Sequence, residues 1–110
     1  DLSGQPSSRS VIAPGDIVPR QDTNHEAYVV VLSNSTHIAA DTGRLITCPY
    51  IPGLVPEEAM AMVVAVRRPD GVVLPELVQW LPSAALDTPI GNIGAPALHE
   101  AVTLMTALVS

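Results

Sequence analysis

The chain has 110 residues, 47% of them hydrophobic and only 15% charged, which fits one folded domain and excludes a disordered polymer. Eleven acidic residues stand against five arginines and no lysine, a net charge of −6 that argues against a broad nucleic-acid footprint but leaves room for a local groove lined by arginines. Eleven prolines cannot donate to a helix or a sheet ladder, so they favour short, interrupted strands; with Phe absent, Val, Leu, Ile, Ala and Met must fill the core.

In chain order, residues 1–10 hold four serines with Gly, Gln and Pro and show no periodicity. They read as a flexible tail or an expression remnant, with the folded domain covering 11–110. Ala13-Pro14-Gly15-Asp16 reads as a turn into a short strand around Ile17. Ala27 to Leu32 is β-branched and too short for a helix, so it reads as a central strand buried on both faces. Leu45 to Ile51 is a second candidate strand, interrupted or ended by Pro49 and Pro52, and Met60 to Val66 is a third. Glu57-Glu58 beside Pro56 reads as a helix or turn start. Pro69-Asp70-Gly71 joins the third strand to Gly71–Leu74 as a hairpin, and Glu76 to Trp80 forms a further short strand closed by Pro82.

The last element differs. Pro96 suits the first turn of a helix, after which Leu98, Ala101, Val102, Met105, Leu108 and Val109 recur along one stripe. The whole reads as a β-rich domain with a packed C-terminal helix. Its apolar helix and strands are too rich for so small a monomer to hide, so a two-fold homodimer is expected.

The single Cys48 cannot form an internal disulfide, which suggests a reducing compartment. No apolar run approaches the ~20 residues needed to span a bilayer. No charged segment followed by an apolar one opens the chain, so a cytoplasmic protein without membrane association is expected. His37 and His99 lack ligand spacing with each other or with Cys48, so neither a metal site nor a cofactor is expected.

Several segments together resemble the MazF/CcdB toxin superfamily from Ile12 onward. They are Pro14-Gly15-Asp16-Ile17, then Val29-Val30-Val31-Leu32-Ser33-Asn34, then Leu45-Ile46-Thr47-Cys48-Pro49. Asp41-Thr42-Gly43-Arg44 looks more like CcdB, and Leu81 to Leu86, Ile90-Gly91 and Leu98 to Leu108 follow the family's spacing into its final helix. The departures are equally visible. MazF ribonucleases place an Arg-Pro pair before the valine strand and a Thr or Ser after the next strand's proline, where this chain holds Ala27-Tyr28 and Ile51-Pro52. CcdB gyrase poisons end in Trp-Gly-Ile, whereas this chain ends Ala107-Leu108-Val109-Ser110.

The resemblance implies a mainly β (α+β) fold, a small SH3-like β-barrel with a C-terminal α-helix, and the toxin of a type II toxin–antitoxin pair, a metal-independent, sequence-specific endoribonuclease neutralised by a cognate antitoxin. The alternatives are a CcdB-like toxin that binds a protein such as DNA gyrase, or a catalytically degraded member that only binds antitoxins. In the ribonuclease reaction the RNA's own 2′-hydroxyl attacks the adjacent phosphate, which calls for a base, an acid and a cation facing the phosphate. Arg20 and His25 are the catalytic candidates, because their loop carries the family's arginine region; the plain alternative is a solvated loop.

Ser33 and Asn34 can bond a phosphate or base, or simply cap a turn. Thr47 is most simply a strand residue. Arg44, Arg67 and Arg68 can grip RNA or pair with antitoxin acids, or sit on solvated tips. Trp80 reads either as core or as an anchor in the antitoxin or dimer interface.

Overall fold

The computed structural model of the chain describes residues 12–24, 26–53, 63–67 and 70–109. The first turn is held by its own sequence. Gly15 adopts φ +86° and donates its N–H to the Val31 carbonyl at 2.8 Å, while the buried Asp16 carboxylate accepts the Ala13 N–H at 2.7 Å. Asn92 closes the same knot from the far end of the chain, its Nδ2 donating to Asp16 Oδ1 at 2.9 Å and to the Pro14 carbonyl at 3.0 Å. The Pro-Gly-Asp segment is thus a structural latch. It launches β1 (Asp16–Pro19) and ties it to β7 (Gly91–Asn92).

The valine run forms β2 (Tyr28–Val31), paired antiparallel to β1 and to β3 (Arg44–Pro52). As expected of a strand with no polar face, Val29, Val30 and Val31 are all buried. Their side chains alternate between two apolar clusters. Val30 joins Ile17, Cys48, Tyr50, Val64 and Val73 on one face, and Val29 and Val31 join Val18, Leu45, Leu81 and Leu86 on the other.

Pro49, expected to interrupt or end this strand, lies within β3 opposite Val29. Its carbonyl accepts the Leu74 N–H at 3.0 Å, so its ring nitrogen faces the same side, at the gap between the neighbour that pairs with residues 44–47 and the one that pairs with residues 50–52. No ladder donor is lost to β2, which is how a proline survives in mid-strand.

The hairpin at Asp70-Gly71 is present as β4 (Val64–Val66) and β5 (Gly71–Val73); Glu57, Glu58 and the 60–62 start expected for the third strand fall outside the described residues. Gly71 is required there by space, since a Cβ would fall 2.6 Å from the Tyr50 ring and 2.7 Å from the Ile51 carbonyl oxygen. The strand expected over 76–80 is corrected. Pro75 starts a 3-10 turn over Pro75–Leu77, and β6 runs Gln79–Pro82 instead, because Pro75 presets φ and lacks a ladder donor.

One element was not foreseen. A short helix, α1 (Ser35–Ala40), follows β2, with Asn34 Oδ1 accepting the His37 N–H at 2.8 Å and Asp41 closing it at φ 51°. The C-terminal helix, α2 (Ala95–Val109), carries Pro96 in its first turn. Ala101 is fully buried, and Leu98 and Val102 pack on the first cluster, whereas Leu108 is 42% exposed and leaves the expected stripe.

The strands form one curled antiparallel sheet in the order β4-β5-β3-β2-β1-β7, with β6 on the other half of β3, a half-barrel with α2 packed on the 75–77 turn and β4. Among the described residues no helix is long and apolar enough to cross a membrane.

Candidate functional site

Two polar corners hold most of the residues singled out from the sequence. The first is the loop between β1 and β2. Arg20 leaves β1 through a bridge to Leu86 and donates its backbone N–H to the Ala27 carbonyl at 2.9 Å. Its guanidinium forks onto Asp22, Nε to Oδ1 at 2.8 Å and Nη2 to Oδ2 at 2.9 Å. This bidentate hydrogen bond holds the Asp22 carboxyl below the usual carboxylate range and raises Arg20 further above its own. Arg20 and Asp22 thus form a cation–carboxylate unit at the start of the loop. His25 lies outside the described residues. Tyr28 at the loop's exit is raised by a hydrogen bond to Glu26.

The second corner lies where α1 meets β3 and β6. The β2–β3 register ends at Val31–Thr47; beyond it the Ile46 carbonyl accepts the Leu32 N–H at 2.8 Å, and the Oγ of buried Ser33 accepts the Ile46 N–H at 2.8 Å. The same Oγ lies 2.7 Å from His37 Nδ1. Helical spacing makes this contact possible, since a residue just before the helix meets the one four positions on. The His37 ring in turn stands edge-on to Trp80, with centroids 5.5 Å apart and planes at 78°.

Trp80 is 57% exposed, so the core reading is overturned. It pairs with Ile46 across β3 and β6, on the opposite side of the strand from buried Leu81, and α2 packs on the 75–77 turn and β4 instead.

Arg44 begins β3, is exposed, and pairs in register with Pro82. Being two residues before Ile46, it shares Trp80's side of the sheet as a diagonal neighbour. Among the described residues no carboxylate pairs with it. His37 and Arg44 both line an open groove of ≈ 960 Å³ that also holds Asp41 and Asp87; Arg20 is not part of its wall.

The structure thus brings Ser33, Asn34, Arg44 and Trp80 together and leaves Arg20 in a separate corner. Arg67 is exposed at the end of β4, on the hairpin at the sheet's other end, and Arg68 lies outside the described residues. Thr47 is buried, its hydroxyl donating to the Gln79 carbonyl at 3.1 Å, a strand-pairing role. Cys48 is a buried free thiol pushed up to about 12 by burial, which keeps it unreactive. Among the described residues no three His, Cys, Asp or Glu side chains converge as metal ligands would. The role of His37 shows in the sequence only through its four-residue spacing from Ser33, since it has no metal-ligand spacing with His99 or Cys48.

A family model described as type II toxin–antitoxin system toxin Rv0299 matches residues 15–108. The chain is 65% identical over 99 residues to Toxin Rv0299 of Mycobacterium tuberculosis (strain ATCC 25618 / H37Rv), an alignment covering 90% of this chain and 99% of that one. Its fold is similar to MazF in a MazE–MazF crystal structure from Deinococcus radiodurans, with TM-score 0.73, 21% identity, and 91% and 96% of the two chains covered. An endoribonuclease in complex with its cognate antitoxin, from a mycobacterial species, aligns with TM-score 0.71, 15% identity, and 89% and 95% coverage. These neighbours support the MazF side of the resemblance and lend nothing to the CcdB side.

Proposed function

The chain belongs to the Rv0299 family of type II toxin–antitoxin system toxins, and from that premise we propose that it is a cytoplasmic, homodimeric endoribonuclease that cleaves RNA without a metal and is silenced by a cognate antitoxin. The observation that carries this reading is the MazF fold over nine-tenths of the chain, shared with a protein described as an endoribonuclease in complex with its antitoxin. Fold alone does not give chemistry, so the residues must supply it.

In the proposed reaction the 2′-oxygen bonds to the neighbouring phosphorus, the bond to the 5′-oxygen breaks, and a cyclic phosphate and a free 5′-hydroxyl remain. A base takes the 2′ proton and an acid returns one to the leaving oxygen. The added negative charge on the phosphate needs a cation, and with no lysine in the chain arginine must provide it. Arg20 fits because its loop carries the family's arginine region and its planar fork, now on a carboxylate, suits a phosphate equally well. RNA must then displace Asp22. His25, five residues on, is the candidate proton carrier.

The test is incubation of the pure protein with a long RNA in chelator. Cleavage to cyclic-phosphate ends, abolished by the antitoxin, is expected. Intact RNA alongside undiminished toxicity would move the target to a protein such as gyrase. Light scattering should give twice the chain mass at micromolar concentration; monomer alone would reject the dimer.

A further inference from the structure

We propose that Trp80, with His37 and Arg44 beside it, is a stacking subsite for one unpaired nucleotide of the RNA, separate from the Arg20 corner; the inference rests on the RNA-directed reading above.

Three features carry it. Trp80 is an indole on a short edge strand, more than half exposed, and it meets the His37 ring edge-on. Unpaired bases are held on such surfaces, by stacking on an aromatic side chain next to donors and a cation.

The neighbouring imidazole is also fixed in place. Ser33 Oγ accepts the Ile46 N–H and lies 2.7 Å from His37 Nδ1, a contact that fixes the orientation of the ring whichever atom carries the proton. His37 therefore presents its other ring nitrogen, Nε2, in a set orientation beside the indole, able to hydrogen-bond a base edge.

Arg44 adds the charge. It lies diagonal to Trp80 on the same side of the sheet and has no carboxylate partner among the described residues, unlike Arg20. A cation and an oriented ring nitrogen flanking the indole favour a nucleotide over an apolar peptide, whose anchor pocket would be walled by apolar groups. Trp80 does not line the groove that His37 and Arg44 share with Asp41 and Asp87, and those two carboxylates repel a phosphate chain, so the site takes one nucleotide rather than a continuous track.

Trp80 is the chain's sole tryptophan, so its emission reports this place alone. A short single-stranded RNA carrying a remote dye is titrated into the Arg20→Ala protein, which prevents cleavage, with dye anisotropy and tryptophan emission read together. Saturable quenching is expected to track the anisotropy. Trp80→Ala should weaken binding roughly 5- to 100-fold, the range for losing one stacked base, while Trp80→Phe retains most of it. His37→Ala should weaken it with the melting temperature unchanged. Binding with no change in emission, or unchanged affinity in Trp80→Ala, overturns the subsite and leaves the RNA reading standing. If emission instead responds only to protein concentration or to the antitoxin, Trp80 belongs to a protein interface and the proposal fails. No RNA binding at all overturns both.

Discussion

The two polar corners treat their arginines in opposite ways. In the β1–β2 loop, Arg20 is already forked onto a carboxylate two residues away and must exchange that partner to offer the same fork to a phosphate. At the α1 corner, Arg44 is exposed without a carboxylate partner among the described residues, beside an imidazole held by Ser33 and an outward-facing indole. The first arrangement suits a charge needed only when the reacting phosphate arrives. The second suits recognition, where the groups must be ready before the ligand does. Net charge blurs this difference, since both corners belong to a chain of −6.

The largest expected effect lies on the first corner. Arg20→Ala should reduce RNA cleavage by about 100- to 1,000-fold, the usual loss when a transition-state donor is removed. Antitoxin binding should persist, and because the Arg20–Asp22 pair is on the surface the fold should too. His25→Ala should slow cleavage and alter its pH profile. Full activity in the double variant would break the comparison and transfer the phosphate role to Arg44 with Arg67 and Arg68.

Next comes Ser33→Ala, which acts on stability. Ser33 Oγ accepts the Ile46 N–H, while the Ile46 carbonyl is held by the Leu32 N–H. Leaving the Ile46 N–H unpaired should cost about 1–3 kcal/mol by denaturant unfolding. An unchanged midpoint would show that another group satisfies Ile46 and that the corner is not built on Ser33.

How far the sequence reveals these corners depends on the kind of signal. β2 was legible because three buried valines in a row leave no other reading, and α2 because Pro96 and the Leu98–Ala101–Val102 stripe agree. Pro49 misled because its tolerance depends on which neighbour lies on its open side, a tertiary fact. α1 was hidden because six residues are too few for an apolar stripe, and its start is set by one capping side chain, Asn34. Trp80 was ambiguous because a lone aromatic on a short strand faces in or out according to register with Ile46. At the site, Arg20 could be placed in its loop, but neither its fork with Asp22 nor the Ser33–His37 contact follows from residue type.

Asn34→Ala sharpens the second corner at smaller cost. Loss of the cap on the His37 N–H should destabilise the protein by about 1 kcal/mol. It should also reduce RNA affinity through a looser His37 rather than a lost contact. A loss of cleavage with no change in unfolding would instead give Asn34 a direct role on the RNA.

The smallest effect tests the first corner from the carboxylate side. If Asp22 competes with phosphate for Arg20, Asp22→Asn should tighten RNA binding by roughly two- to five-fold, the modest scale of an exposed pair. The pH dependence has a definite sign. Arg20 holds the Asp22 carboxyl below its ordinary range, so at neutral pH it is ionised and competing. Any stability from the pair is present above the ordinary aspartate range and is lost as pH falls through the lowered value. The advantage of Asp22→Asn should therefore persist across neutral pH and vanish only in acid, where the parent's own carboxyl protonates and releases the guanidinium. Binding titrations of both proteins from neutral to acidic pH make the check. Weaker binding in Asp22→Asn at neutral pH would mean that Asp22 aims Arg20 at the phosphate rather than withholding it, and both corners would then hold their groups ready in advance.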